Sequence, residues 1–510
     1  MGGEAPPRSP GEYVTWAVDQ HVGCGMFQYV YVLALCWTYG VVCVQTFANM
    51  FATERVAWHA ACPSGSCPVL AEPENCTVPL EEWRADEPGL SLLGDLKLVC
   101  ERHRLVPMLG SLFFMGFAVG VTIAGVLSDR YGRRIAYFAS YACLAVGGFL
   151  APVAPSFFWY AVARVLVGAG VASSGLVAYI WATEFLATTS RGVMSWLPNV
   201  TFSIGQMLLS PLAYTVPHWR PFLLGCQGLV LTGMLYSCCL RESPQWLAVV
   251  GRQEEAYSVL CSMAAKNGRS PPPPQDEAPA DDEFSDREEP RAEARGFLSE
   301  MCDPRLRFRF AVMCFNWFSI SLAFYGLTMF SPNLPFSVYV GNVISGLVAV
   351  PFYLVAPVLI DAKWCGRRGA ISGSYFVGSG CLVASTAISN ETLSMAVYYI
   401  GNGALSLAFA VLYVWAAELF PTTIRARSMS VQSVFARLGA MSSPFVVDLG
   451  QTHPALALLI FATPCAICGA LDLCLPETRA RKLPHTTDDI LSDDGESESP
   501  SAFSDGDDGK

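Results

Sequence analysis

Charge is what this sequence has least of. Only 15% of its 510 residues are Asp, Glu, Lys or Arg, while 53% are hydrophobic; a soluble domain carries about 25% charged residues. That balance excludes an ordinary water-soluble globule and indicates a membrane protein. Histidine is also scarce: there are six, at no metal-ligand spacing, so neither a metal site nor a cofactor is expected. No glycine-rich phosphate loop or other catalytic signature is present, which argues against an enzyme and an ATP-driven pump. A nucleic-acid partner is not expected either. The opening, "MGGEAPPRSPGEYV", lacks both the basic stretch and the apolar core of a cleavable signal. "MGGEAP" also lacks the Ser or Thr of a myristoylation site.

The net charge of -11 is misleading, because acids cluster in two places, "SPPPPQDEAPADDEFSDREEP" and the tail "DDILSDDGESESPSAFSDGDD". Both are too acidic, and the first too rich in proline, to build a core, and they read as disordered. Elsewhere, windows of about 20 apolar residues, long enough to cross roughly 30 Å of hydrocarbon, fall near 26–48, 105–127, 135–154, 157–180, 193–216 and 219–240. They resume near 308–330, 337–360, 370–388, 393–416, 428–449 and 454–475. The expected organisation is a short N-terminus (1–25), a six-helix bundle (26–240), an acidic loop (241–307), a second six-helix bundle (308–475) and a disordered tail (476–510).

Lysine and arginine collect in "SDRYGRR", "TSRG", "DAKWCGRRGA" and "TTIRARS", which alternate with nearly uncharged connections such as "APVAPSF". By the excess of positive charge on the cytoplasmic side, that set faces inward, with both termini and the central loop. The stretch 49–104 then lies outside. It carries Cys62, Cys67, Cys76 and Cys100 and the glycosylation sequon at Asn75, all suited to an oxidising face. Four cysteines allow three pairings, and spacing does not choose among them. The plasma membrane is the expected location, although an internal membrane with a lumenal face would look the same.

The chain also repeats itself. "WATEFLATTSRG" from Trp181 matches "WAAELFPTTIRA" from Trp415, an offset of 234 that also carries Gly132-Arg133-Arg134 onto Gly366-Arg367-Arg368 and Gly205 onto Gly439. Two parallel copies of a six-helix unit imply two lobes about an axis along the membrane normal, with a midplane binding site between them. Each copy places one set of charges at the basic end. Asp129, Arg133, Arg134, Glu184 and Arg191 form the first; Asp361, Arg367, Arg368, Glu418 and Arg425 form the second. Matched sets of this kind suit a gate whose ion pairs form and separate as the lobes rock. The bland alternative is a row of interfacial anchors.

"GVLSDRYGRR" resembles the loop signature of the major facilitator superfamily, and "RVLVGAG" resembles its arginine-containing fourth helix. "LGDLKLVCERHRLVPMLGSLFFMGFAVG", "TEFLATTSRG", "SIGQMLLSPLAY", "RESPQWLAVVGRQEEA", "NWFSISLAFYGL", "AELFPTTIRARSMSV" and "LPETRARKLP" are similar, in order, to the organic cation, organic anion and carnitine transporter family. The resemblance spans about 25–485. It implies an all-α membrane protein with twelve transmembrane helices in two pseudo-symmetric bundles, the major facilitator fold. It also implies a secondary-active or facilitative carrier of small organic ions that works by rocker-switch alternating access, with a counter-ion or exchanged solute as possible partner, and acts as a monomer. Arg241 and Gln245 depart from the family's usual Pro-Glu-Ser-Pro-Arg.

Arg437 is the residue the composition leaves unexplained. It lies nine residues into an apolar span, roughly 13 Å deep, with no acid within a turn in sequence. A charge there is costly and should face protein or a water-filled cavity. At this position the resemblance implies Asp in cation carriers and Arg in anion and carnitine carriers. Ala349 and Tyr353 stand where family members often place an acid and a lysine, around Pro351. Gln206, near the repeat partner Ser203, and Trp317, Phe324 and Tyr325 are expected to complete the substrate site with Arg437 and Tyr353. The reading is therefore a carrier biased toward organic anions. A carnitine-like zwitterion or an organic cation is the alternative within the family, and a receptor that no longer cycles is the alternative outside it.

Overall fold

The computed structural model describes residues 9–54, 58–60, 83–85, 87, 89–274, 303–330 and 337–479. Cys62, Cys67, Cys76, Asn75, most of the acidic stretch and nearly all of the tail lie outside the described residues. Within hydrocarbon every backbone N–H must find its acceptor inside its own segment, which leaves helices as the way across for apolar runs of this length. The first six long helices are α1 (Met26–Ala52), α2 (Leu105–Tyr131), α3 (Arg133–Val153), α4 (Phe157–Phe185), α5 (Leu197–Thr215) and α6 (Trp219–Cys239). The second six are α7 (Pro304–Phe330), α8 (Val338–Asp361), α9 (Gly366–Ala387), α10 (Glu391–Glu418), α11 (Thr422–Thr452) and α12 (Pro454–Asp472). Each answers one apolar window of the sequence. Among the described residues, nine helices are long and apolar enough to span a membrane on their own; α5, α9 and α11 fall short. Those three carry Gln206, the Arg367–Arg368 pair and Arg437, and they are held by neighbours rather than by their own hydropathy.

Small residues set the helix spacing, as is usual where lipid removes the hydrophobic drive for helix association. A Cβ on Gly168 of α4 would collide with the Phe113 carbonyl oxygen of α2. The repeat glycines do equivalent work in the two lobes. Gly205 lets α5 lie on the Gly40 carbonyl oxygen of α1, and Gly439 lets α11 lie on the Phe318 carbonyl oxygen of α7.

The lobes meet along two seams. In the first, Ser111 Oγ of α2 donates to the Met441 carbonyl oxygen of α11 (2.6 Å), Gly110 packs under the Pro444 ring, and His103 lies 3.6 Å from Asp448. In the second, Gln206 Nε2 of α5 donates to Asn342 Oδ1 of α8 (3.1 Å), and Asn342 Nδ2 returns bonds to the Gln206 carbonyl oxygen (2.8 Å) and Ser210 Oγ (2.9 Å). Beyond it Tyr339 donates to Glu54 Oε2 (3.0 Å) and stacks on Phe51. These contacts close the end away from the basic loops.

The structure adds to the sequence reading at two points. Between α6 and the acidic Pro-rich stretch, helices Pro244–Val249 and Gln253–Lys266 bury Leu247, Leu260 and Met263, and the helix Pro10–Ala17 is tied to the same region by Tyr13, which donates to the Pro273 carbonyl oxygen (2.6 Å). The tail also begins later than the composition implies, because Glu477 and Thr478 are fixed against the start of α9.

Candidate functional site

Between the lobes lies a cavity of about 1110 Å³, opening toward the basic loops. Its deep wall is aromatic. Trp317, Phe324 and Tyr325 of α7, Phe117 of α2 and Phe409 and Tyr413 of α10 line it. Phe324 and Phe409 stack with centroids 4.7 Å apart, and Trp317 meets Tyr413 edge to face at 4.6 Å. Trp317 Nε1 is fixed by donating to Gln432 Oε1 of α11 (3.0 Å).

Arg437 reaches this wall from α11. Its guanidinium lies over the Phe117 ring at 3.9 Å, and Tyr325 is close enough to feel its charge. Its Nε is buried with no hydrogen-bond partner among the described residues, and no carboxylate pairs with it there. Asp448, further along the same helix, faces His103. The ring contact contributes about 0.5–2 kcal/mol, too little to satisfy a guanidinium withdrawn from water.

Two expected site residues lie elsewhere. Gln206 is spent in the α5–α8 seam with Asn342. Tyr353 is buried among Ala349, Ala410 and Val200, with its hydroxyl against Ser406. Both stand on helix faces turned from the cavity, and only the packed register of α5 and α8 reveals that. The cavity adds Arg309 of α7, which a reading of the sequence passes over because it sits near a span end.

The charge sets form matching structures at the mouth. Arg133 bridges Asp129 (3.0 Å) and Glu184 (2.9 Å); Arg367 bridges Asp361 (3.2 Å) and Glu418 (3.2 Å). Each triad closes within its own lobe; among the described residues no ion pair crosses between the two sets. Arg134 donates to the Cys238 carbonyl oxygen (2.9 Å) and Arg368 to that of Leu475 (3.4 Å). Arg191 and Arg425 line the cavity mouth, and Arg425 Nε donates to the Phe420 carbonyl oxygen (3.2 Å).

A further pair is hidden in the sequence. Glu242 accepts from the backbone N–H of Arg133 (3.0 Å) and Arg134 (3.1 Å), at the start of α3. Glu477 accepts from Arg367 (3.0 Å) and Arg368 (3.0 Å), at the start of α9. A carboxylate at a helix N-terminus meets unsatisfied donors and the positive end of the dipole. Gly132, just before α3, and Gly366, the first residue of α9, have φ of 98° and 68°, and the carboxylate occupies the space a Cβ would need. Glu242-Ser243 and Glu477-Thr478 stand 235 apart, one more than the other repeats, so a fixed offset overlooks them. Burial raises the Glu242 carboxyl above the usual carboxylate range, against the pull of its backbone donors. Cys100 is disulfide-bonded, its partner outside the described residues.

The family model described as sugar (and other) transporter matches residues 100–488. Solute carrier family 22 member 15 of Xenopus tropicalis is 31% identical over 399 residues, covering 76% of this chain and 72% of that protein. Organic anion transporter 3 of Homo sapiens is 30% identical over 440 residues, 83% of this chain and 80% of that protein. The organic cation transporter protein of Drosophila melanogaster is 31% identical over 408 residues, with 78% and 74% covered. In fold, the chain is similar to the inward-open xylose transporter XylE from E. coli: TM-score 0.59, 15% identity, 90% of this chain and 97% of that one.

Proposed function

The chain belongs to the sugar (and other) transporter family, and within it to solute carrier family 22; from that premise, as a multi-pass membrane transporter of small organic ions, we propose that it carries organic anions. One observation supports the sign. Among the described residues the cavity wall has Arg191, Arg309, Arg367, Arg425 and Arg437 against one carboxylate, Glu418. Arg367 is already paired with Asp361 and Glu418, whereas Arg437 stands deep in the wall with no carboxylate beside it among those residues, so an organic cation would meet an unfavourable charge there. A flat aromatic carboxylate or sulfate fits between Trp317, Phe324 and Phe409 with its acid group on Arg437, where planar guanidinium donors match planar oxygens. Relatives named for anions and for cations both match this chain, so the sign rests on the wall rather than on the likeness.

The basic loops face the cytoplasm in this reading, and the state seen is open to it. The seams at Ser111–Met441 and Gln206–Asn342 would part, and the two triads approach each other, as the lobes rock. The plasma membrane is the proposed location. A zwitterion is the second reading, since the aromatic wall would also suit a trimethylammonium group; against it, the Phe117 face already carries Arg437.

The test is uptake of a labelled aryl carboxylate, an aryl sulfate, carnitine and tetraethylammonium in expressing cells, at matched surface level. Arg437→Ala should weaken anion affinity by roughly tenfold to a hundredfold, the equivalent of about 1.5–3 kcal/mol for a hydrogen bond to a charged group. Arg437→Lys should recover only part. Uptake confined to the cation, or anion uptake indifferent to Arg437, overturns the proposal.

A further inference from the structure

The C-terminal lobe holds a polar cluster that the cavity does not use. Asp472, the last residue of α12, is 0% exposed, and so are Asn316 and Ser319 of α7 and Tyr375 of α9. Asn316 has both amide hydrogens engaged: Nδ2 donates to the Val312 carbonyl oxygen (3.0 Å) and to Asp472 Oδ1 (2.8 Å). That leaves Asn316 Oδ1 and Asp472 Oδ2, both buried and both without a hydrogen-bond partner among the described residues. The Tyr375 hydroxyl is likewise unpartnered and close enough to Asp472 to feel its charge. The groups near the carboxyl are Asn316 from α7, Tyr375 from α9 and Cys468 from its own helix, with Ser319 and Cys465 around Cys468. Among the described residues no Arg, Lys or His pairs with it.

Two buried acceptors left over from one amide–carboxyl contact are a poor arrangement for an ionised acid, which would be dry and half-satisfied. One proton answers both. Placed on Asp472 Oδ2, it turns that oxygen into a donor, for which Asn316 Oδ1, the unsatisfied acceptor of the side chain already bonded to Asp472, is a candidate partner. Acid and amide can then join through two complementary hydrogen bonds. We propose that Asp472 and Asn316 form a proton-binding site, loaded in this state, whose unloading is coupled to substrate movement through α7. The inference rests on the transporter reading for its coupling, though not for the site itself. Asn316 is adjacent to Trp317, and α7 supplies Arg309, Ser321, Phe324 and Tyr325 to the cavity wall. The proton comes from water, adds to the carboxylate and returns to water; no other covalent bond changes. Once it leaves, the bare carboxylate must gain water or a new donor, so the α7–α12 contact has to open. Intramembrane acids are characteristic of proton relays for this reason.

The site is tested first without substrate. Full-length protein in lipid nanodiscs is titrated with pH and followed by infrared spectroscopy, wild type against Asp472→Asn. The expected result is a protonated-carboxyl stretch at neutral pH that is lost reversibly as pH rises and is missing in the variant. Asn316→Leu, which keeps the acid, should retain the band but move its frequency. A carboxylate ionised across the whole range, or a band indifferent to both variants, overturns the site; displacement of the band by sodium but not choline overturns the proton in favour of a metal cation. Coupling is then read in proteoliposomes with a labelled aryl carboxylate. An inwardly directed proton gradient should raise uptake several-fold in wild type and not in Asp472→Asn, while exchange without a gradient survives. Gradient-independent uptake in wild type overturns the coupling. Absence of any flux overturns the transport reading, while the proton site still stands or falls on its infrared band.

Discussion

Arg437 and the repeat glycines have opposite relations to their surroundings. The guanidinium is under-satisfied, resting on Phe117 with a buried Nε that nothing among the described residues accepts from. Gly205 and Gly439 are over-determined, since each has a carbonyl oxygen of a neighbouring helix where a methyl group would go. Function tolerates the first; packing demands the second. Gly205→Ala and Gly439→Ala should each cost about 1–3 kcal/mol by overpacking. They should lower the yield of monodisperse protein on size-exclusion chromatography, whereas Arg437→Ala should leave it unchanged. If the arginine variant also loses yield, Arg437 is structural and the substrate reading weakens.

At the scale of the element, the starts of α3 and α9 are one device built twice. A glycine with positive φ stands at the junction, two arginines follow it in the first turn, and a carboxylate from a distant segment caps the exposed N–H groups. Cap and triad share an arginine, so the segment after α6 is tied mechanically to α3, and the residues after α12 to α9. Glu242 titrates in a direction that can be checked. Its carboxyl binds a proton more tightly folded than unfolded. Its contribution to stability is therefore complete below the unfolded value and declines as pH rises through the raised folded one. Glu242→Gln removes that dependence. The melting temperature of wild type relative to Glu242→Gln should fall as pH is raised through this window, measured by thermal shift in detergent. A rise instead would mean that the backbone donors outweigh burial.

For the whole molecule, what matters is which seam is closed. Here α2–α11 and α5–α8 are closed away from the basic loops and the cavity opens toward them. Gly110 lies under Pro444 and Gly346 lies against Met207 and Ser203, so a large side chain at either would wedge the closed seam. Gly110→Trp or Gly346→Trp should shift the balance to the opposite opening by about 5–150-fold if the wedge contributes 1–3 kcal/mol. The check is maleimide labelling of a cysteine at Ser195 in the cavity, in a background lacking the exposed Cys238, Cys239 and Cys474. Labelling from the basic-loop side should drop. Unchanged labelling would mean that the seam yields without the lobes moving.

Much of this was written locally. Apolar windows placed the twelve helices because hydrocarbon thickness and backbone satisfaction act on each segment alone. The repeat exposed two lobes and both arginine triads because duplicated segments keep their spacing. Arg437 stood out because a charge in an apolar helix is costly wherever that helix packs. Tertiary structure alone decided the rest. Gln206 went to a seam and Tyr353 to a buried pocket because a helix face is assigned by its neighbours. Glu242 and Glu477 became caps because the chain returns to helices begun some 110 residues earlier. Asn316 and Asp472, 156 apart, met because α7 and α12 pack together. A single span can announce its depth and its charge; its partners are settled only when the other spans arrive.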